Sequence, residues 1–287
     1  MTLMQPLVWI TGSHGLIGNY LVHGAPRLAP QWRVRALTRA DFDLLDFSTV
    51  EREFRRDLPA VVIHCAAITQ VADAHKEPAF ARRMNVDVTR LLAGLAAERA
   101  FAFYSTDLVF DGHRGNYVET DAPNPLHIYG ETKLAAEEIV LKNPRHLVIR
   151  TSINGGVSRA GNRAFNEQLH RSMQSVGWGM TMFTDEFRCP IPAVETARAT
   201  WELLAKGCAG LYHVAGAEKL SRFQIGELLV KRWPGLAGKF KAGSARDFPG
   251  PARALDTSLN ISKVQPVLSR PLPGLGEWLA ANPQVEF

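Results

Sequence analysis

Along the first half of the chain, short apolar runs alternate with stretches whose apolar residues recur every three to four positions. The runs Leu7–Thr11, Arg33–Thr38, Ala60–Ala66, Ala102–Ser105 and His146–Thr151 have strand length. Ala60–Ala66 is apolar throughout apart from His64, the pattern of a strand covered on both faces. Between these runs, residues 16–28, 48–57, 79–98 and 129–142 carry helical periodicity, and a loop rich in Gly, Asn, Asp and Pro fills 111–127. Strand–helix–strand repetition at this spacing predicts an α/β fold, a Rossmann-type doubly wound parallel sheet. Beyond residue 155 the rhythm loosens, with glycines at 155, 156, 161 and 179 and prolines near 190. Helices are expected at 193–206, 221–232 and 274–281. The domain reading is therefore a dinucleotide-binding unit over 1–155 and a smaller, partly interleaved C-terminal substrate lobe over 156–287.

Composition changes this picture little. Apolar residues make up 46% of 287 and charged residues 21%, which supports a packed core and argues against widespread disorder. The net charge of +5 is scattered; Arg52, Arg55 and Arg56 interleave with Glu51 and Glu53, and Arg82–Arg83 sits in a helical stretch. These read as solvated helix faces with a diffuse attraction for anionic small molecules, so no nucleic-acid partner is expected. No apolar stretch has the length of a membrane span, and the amino terminus lacks the basic and apolar regions of a cleavable leader. Three cysteines, Cys65, Cys189 and Cys208, show no metal spacing and fit a reducing cytoplasm. No metal site is expected.

Chemistry enters at Thr11-Gly-Ser-His-Gly-Leu-Ile-Gly18, directly after the first strand and opening a helix. Gly12 suits a tight turn, Gly15 a close approach to pyrophosphate, and Gly18 close helix–strand packing; the helix amino end offers free N–H groups. His14, Leu16 and Ile17 complete this candidate cofactor loop. At the end of the second strand, Thr38 and Arg39 stand where an acidic residue would grip a ribose 2′-hydroxyl. Arg39 either receives a 2′-phosphate, favouring NADP with NAD also accommodated, or is a solvated loop arginine. Asp43 and Leu44 follow, Asp43 placed to accept from an adenine amino group.

Tyr104-Ser-Thr-Asp107 ends the fourth strand, where open α/β sheets bind ligands. Tyr129-Gly-Glu-Thr-Lys133 starts a helix, and positions i and i+4 share a face. A lysine ammonium beside a phenol is expected to lower the tyrosine pKa toward neutrality and make Tyr129 an acid–base group. Alone, such a pair is more often a helix-surface feature; the glycine loop and a hydroxyl residue after strand four raise its weight.

The chain resembles extended short-chain dehydrogenases/reductases, and more narrowly the dTDP-4-dehydrorhamnose reductase group. The resemblance lies in TGSHGLIG (11–18), VVIHCAAIT (61–69), MNV (84–86), YSTDLVFDG (104–112), YVETDAPNPLHIYGETKLAAE (117–137), VIRTS (148–152) and RALDTSLN (253–260). It implies a catalytic set of Thr106, Tyr129 and Lys133, with Asn85 supporting the geometry. Ala66 and Ala67 would line the cofactor, and Thr151 and Ser152 would lie near its nicotinamide. The implied reaction is hydride transfer to a C4 carbonyl of a nucleotide sugar, with Tyr129 protonating the alkoxide. Asp107, Asn154 and Arg188 are the candidate substrate contacts. Arg188 replaces a more familiar small residue, and either meets a substrate diphosphate or pairs with Asp185 or Glu186; Arg163, Lys219 and Arg253 are weaker candidates. His14, His64 and His127 are read as structural or solvent-facing. A homodimer is left open. Two rivals stand beside the reductase: a nucleotide-sugar epimerase, and a non-catalytic NADP-binding regulatory subunit resembling that of methionine adenosyltransferase. A 4,6-dehydratase is disfavoured, because Leu108 follows Asp107 where a second carboxylate would be needed.

Overall fold

Six parallel strands organise the computed structural model, which describes residues 5–159, 161–175, 179–247 and 253–287. They are β1 (Leu7–Thr11), β2 (Arg33–Leu37), β3 (Val61–His64), β4 (Ala100–Thr106), β5 (Leu147–Thr151) and β6 (Gly210–Val214), in the spatial order β6-β5-β4-β3-β1-β2. Residues 1–4, part of the leader reading, lie outside the described residues.

The sheet is buried on both faces because its strands alternate toward two cores. Val8 and Ile10 of β1 point to one and Leu7 and Trp9 to the other. The first face is covered by α1 (Leu16–Leu28) and α8 (Ala193–Ala205), joined where the Trp201 indole donates to the Leu21 carbonyl. The second is covered by α2 (Phe47–Asp57), α5 (Val88–Leu95) and α6 (Ile128–Val140). Between β3 and α5 come α3 (Val71–Lys76), α4 (Pro78–Arg82) and one π-helical segment, Arg83–Asp87.

That segment corrects the single helix expected over 79–98. Three consecutive pieces stand there, and the last ends at Leu95. A π turn inserts an extra residue into the helical ladder without altering the apolar pattern, and such turns collect at functional sites.

Downstream, α7 (Phe165–Ser175), α9 (Arg222–Arg232) and α10 (Leu275–Ala281) surround a satellite core of Phe165, Leu220, Ile225, Leu229, Leu275, Trp278 and Phe287. Short strand pairs join residues 154–155 to 191–192, 187–188 to 220–221, and 180–183 to 240–243. Residues 193–214 return to the main sheet as α8 and β6. No helix among the described residues is long and apolar enough to cross a membrane.

Candidate active site

The strand order reverses at β1, whose neighbours are β2 and β3, and the loops leaving the carboxyl ends of β1, β3, β4 and β5 open into one cleft of about 770 Å³. Most residues proposed from the sequence line it: Gly12, His14, Gly15, Leu16 and Ile17; Thr38, Arg39, Asp43 and Leu44; Ala66 and Ala67; Thr106, Asp107, Tyr129 and Lys133; Asn154 and Arg188.

The glycine turn forms one end. Gly12 has φ +66°, and a Cβ there would stand 2.7 Å from the Ala66 nitrogen, so only glycine lets the turn lie against the end of β3. The Ser13 hydroxyl donates to the Leu37 carbonyl (2.9 Å), pinning the turn to β2. Gly15 begins α1 with no side-chain cap, and Leu16 and Ile17 line the cleft, so the helix amino end faces it. This bare cradle fits a pyrophosphate. Thr11 Oγ1 accepts from the Ala66 N–H and shares a hydrogen bond with His64 Nδ1 (2.7 Å). Burial pushes the His64 imidazole down to about 3, so it is neutral and structural.

The chemical end is built from β4 and α6. A Cβ on Gly130 would meet the Leu108 carbonyl at 2.3 Å; glycine thus brings the first turn of α6, with Tyr129, against the segment leaving β4. The Tyr129 phenol faces the Thr106 hydroxyl, which itself donates to Asp107 Oδ1 (3.2 Å) and accepts from the Leu108 N–H (3.2 Å). Asp107 is buried and also accepts from Ser152 (2.8 Å) and Thr257 (3.0 Å). Lys133 lies one turn beyond Tyr129, its ammonium 3.9 Å from the Phe103 ring centroid.

Electrostatics here differ from the sequence expectation. Burial pushes the Tyr129 phenol up to about 12, although the neighbouring Thr106 hydroxyl opposes the rise. Burial likewise pulls the Lys133 ammonium down to about 7, with Glu137 opposing. The phenol's net shift is upward because desolvation dominates at this depth and the Asp107 carboxylate adds to it; Glu137 is gripped by Arg150 through bonds of 2.7–3.1 Å. A phenol so held is protonated at neutral pH and suited to donate.

Asn85, at the centre of the π turn, binds the two halves together. Its side chain accepts from the Ile68 N–H (2.8 Å) and donates to the Ile68 carbonyl (3.1 Å) and Thr132 Oγ1 (3.0 Å). Thr132 in turn donates to the Tyr129 carbonyl (2.8 Å).

The far end is cationic. Of the two partners considered for Arg188, the structure gives Glu186 (3.2 Å); Asp185 instead accepts from Ser244 and Ala245. The Arg188 Nε also stands 3.9 Å from Asp107. Glu186 is fully buried; burial would raise its pKa, but Arg222, Arg188 and Arg253 hold it down to about 2. Asn154 lines the cleft with its amide already engaged by Thr151, Ser152 and Thr196. Arg163 also lines the cleft, whereas Lys219 pairs with Asp256 and Arg253 with Glu186. Sequence reasoning missed Phe42, Ser105, Phe165, Gln168 and Arg222 in the lining. Among the described residues no cluster of three or more His, Cys, Asp or Glu is arranged to hold a metal ion.

Residues 4–280 match the RmlD substrate binding domain family. The chain is 30% identical to a probable low-salt glycan biosynthesis reductase, Agl14, of Haloferax volcanii, over 95% of this chain and 96% of that protein. It is 31% identical to a dTDP-4-dehydrorhamnose reductase of Shigella flexneri, over 93% of each. Among solved structures, a dTDP-4-dehydrorhamnose reductase from Bacillus anthracis superposes with a TM-score of 0.87 at 24% identity, over 97% of this chain and 98% of that one. Sequence and fold together make this chain a member of the RmlD substrate-binding domain family.

Proposed function

We propose that this chain is an NAD(P)H-dependent reductase of a 4-keto nucleotide sugar, with Tyr129 as its proton donor. The observation that carries the reading is the meeting of Tyr129, Thr106 and Lys133 in the same cleft as the bare glycine turn, at the carboxyl edge of the sheet.

The glycine turn and the α1 amino end would hold the pyrophosphate of the dinucleotide, Ala66 and Ala67 would flank it, and Arg39 would meet a 2′-phosphate. When bound, the dinucleotide supplies the hydride. The chain's own residues do the rest. Tyr129, kept protonated by burial, delivers its proton to the oxygen that gains charge as the carbonyl is reduced. Thr106 stands beside that phenol and orients the same oxygen. Lys133, buried against Phe103, would hold the ribose hydroxyls of the dinucleotide.

Residues 156–287, apart from the 193–214 stretch that rejoins the main sheet, would form the substrate lobe. From it Arg222 and Arg163 reach the cleft, and with Arg188 they oppose the charge of a substrate diphosphate. Free thiols at all three cysteines agree with a cytoplasmic enzyme.

The test is purified protein with NADPH or NADH and a panel of 4-keto nucleotide sugars, with products identified by mass spectrometry. Cofactor oxidation matched by a 4-hydroxy sugar supports the reading. A C-epimer without net cofactor oxidation would replace it with an epimerase, and tight dinucleotide binding without turnover on any such sugar would replace it with a non-catalytic role.

A further inference from the structure

The turn after β2 carries an anion of its own. Thr38 follows the strand and lines the cleft with Arg39. Three residues on, Asp41 folds its carboxylate back onto Thr38. One oxygen, Oδ2, accepts from both the Thr38 N–H (2.8 Å) and the Thr38 hydroxyl (2.7 Å). The Asp41 N–H closes the turn on the Thr38 carbonyl (3.1 Å), and the Ala40 N–H donates to Thr38 Oγ1 (3.2 Å). The Thr38 hydroxyl holds the Asp41 carboxyl below the usual carboxylate range.

An amide N–H and a hydroxyl at the end of β2 are the donors that a phosphate on the adenine ribose would take. Here a carboxylate oxygen takes both. We propose that Asp41 is the cofactor-selectivity residue of this chain: an internal anion that occupies the Thr38 donors and biases the site against a ribose 2′-phosphate. The inference rests on the reading that the cleft binds a nicotinamide dinucleotide. Arg39, exposed beside it, is left to hold a 2′-phosphate without help from Thr38. An unphosphorylated ribose meets no such conflict, since a carboxylate near the end of β2 accepts from a 2′-hydroxyl. The sequence rule looked for an acidic residue at the strand end and found Thr38; the turn supplies one from position 41.

The experiment is titration of the full chain with NADPH and with NADH, read by calorimetry, for wild type, Asp41→Ala and Asp41→Asn. Removing the charge and freeing two donors is expected to tighten NADPH about tenfold while NADH holds or weakens. Asp41→Asn, which keeps an acceptor for Thr38 but loses the charge, should fall between. Adding Thr38→Val to Asp41→Ala should take back much of the gain, because one freed donor is then missing. Retained NADH binding reports a folded site in each variant. Equal changes for the two cofactors, or an unchanged or weaker NADPH affinity in both Asp41 variants, would overturn the proposal alone. A wild-type chain that binds neither dinucleotide would overturn it together with the functional reading.

Discussion

Replacing Asn85 with alanine would cut the strut between the segment after β3 and α6. Asn85 is 1% exposed, and its amide makes three bonds, two to the backbone of Ile68 and one to Thr132. Alanine strands the Ile68 N–H and carbonyl, at roughly 1–3 kcal/mol for each group that finds no substitute partner. With partial relief by water, a loss of about 3 kcal/mol is expected. For a chain of this size that corresponds to a melting temperature lower by about 6–12 °C. Because Thr132 also holds the Tyr129 carbonyl (2.8 Å), kcat should fall more than the cofactor affinity. Asn85→Asp keeps the acceptor, loses both donors and buries a charge, so it should be no better. Thermal melts, urea titrations and steady-state kinetics read these effects. A melting shift under about 2 °C with unchanged kcat would refute the strut.

Three further outcomes follow from the same structure. Lys133 falls to about 7 from an ordinary 10.5, so between those values the unfolded chain binds more protons and wild-type stability rises with pH. Lys133→Met should therefore be most stable relative to wild type near pH 7 and lose that advantage toward pH 9.5, by at most about 1.4 kcal/mol per pH unit; urea midpoints showing a constant or growing advantage would contradict this. Gly130→Ala, whose Cβ would stand 2.3 Å from the Leu108 carbonyl, should displace the first turn of α6 and lower kcat at least tenfold by an order-of-magnitude argument from misplacement; kinetics equal to wild type would exclude the close approach. Glu186→Gln leaves three guanidiniums around a neutral group and should cost about 3–5 kcal/mol in urea unfolding; a loss below 1 kcal/mol, by the usual worth of an exposed pair, would show that the cluster is solvated.

The strands and the cleft were legible because their signals are local. Leu7–Thr11 reads as a strand because both faces are buried, and the glycine turn announces itself by its place after that strand. The π turn was hidden, since Met84-Asn85-Val86 keeps an apolar rhythm that a continuous helix also satisfies. The edge strand Gly210–Val214 was missed for a different reason: its first three residues are only half-buried, and its apolar run is short. Spacing placed Lys133 beside Tyr129 but carried no information on dielectric, so the direction of the phenol's shift came out reversed. Arg222 reaches the cleft through the pairing of residues 220–221 with 187–188, a contact between distant segments that no local pattern encodes. Asp41 was invisible to a rule tied to the last residue of the strand, because its carboxylate arrives by a turn.

If Tyr129 gives the proton in a dinucleotide-dependent reduction, its loss slows the reduction itself rather than cofactor binding. The most direct test is single-turnover reduction of a 4-keto nucleotide sugar by the NADPH-loaded wild type and Tyr129→Phe, with NADPH affinity measured in parallel. The expected result is a rate lowered by about 10²–10⁴-fold with cofactor affinity nearly unchanged. A Tyr129→Phe enzyme that reduces the sugar at the wild-type rate would contradict it.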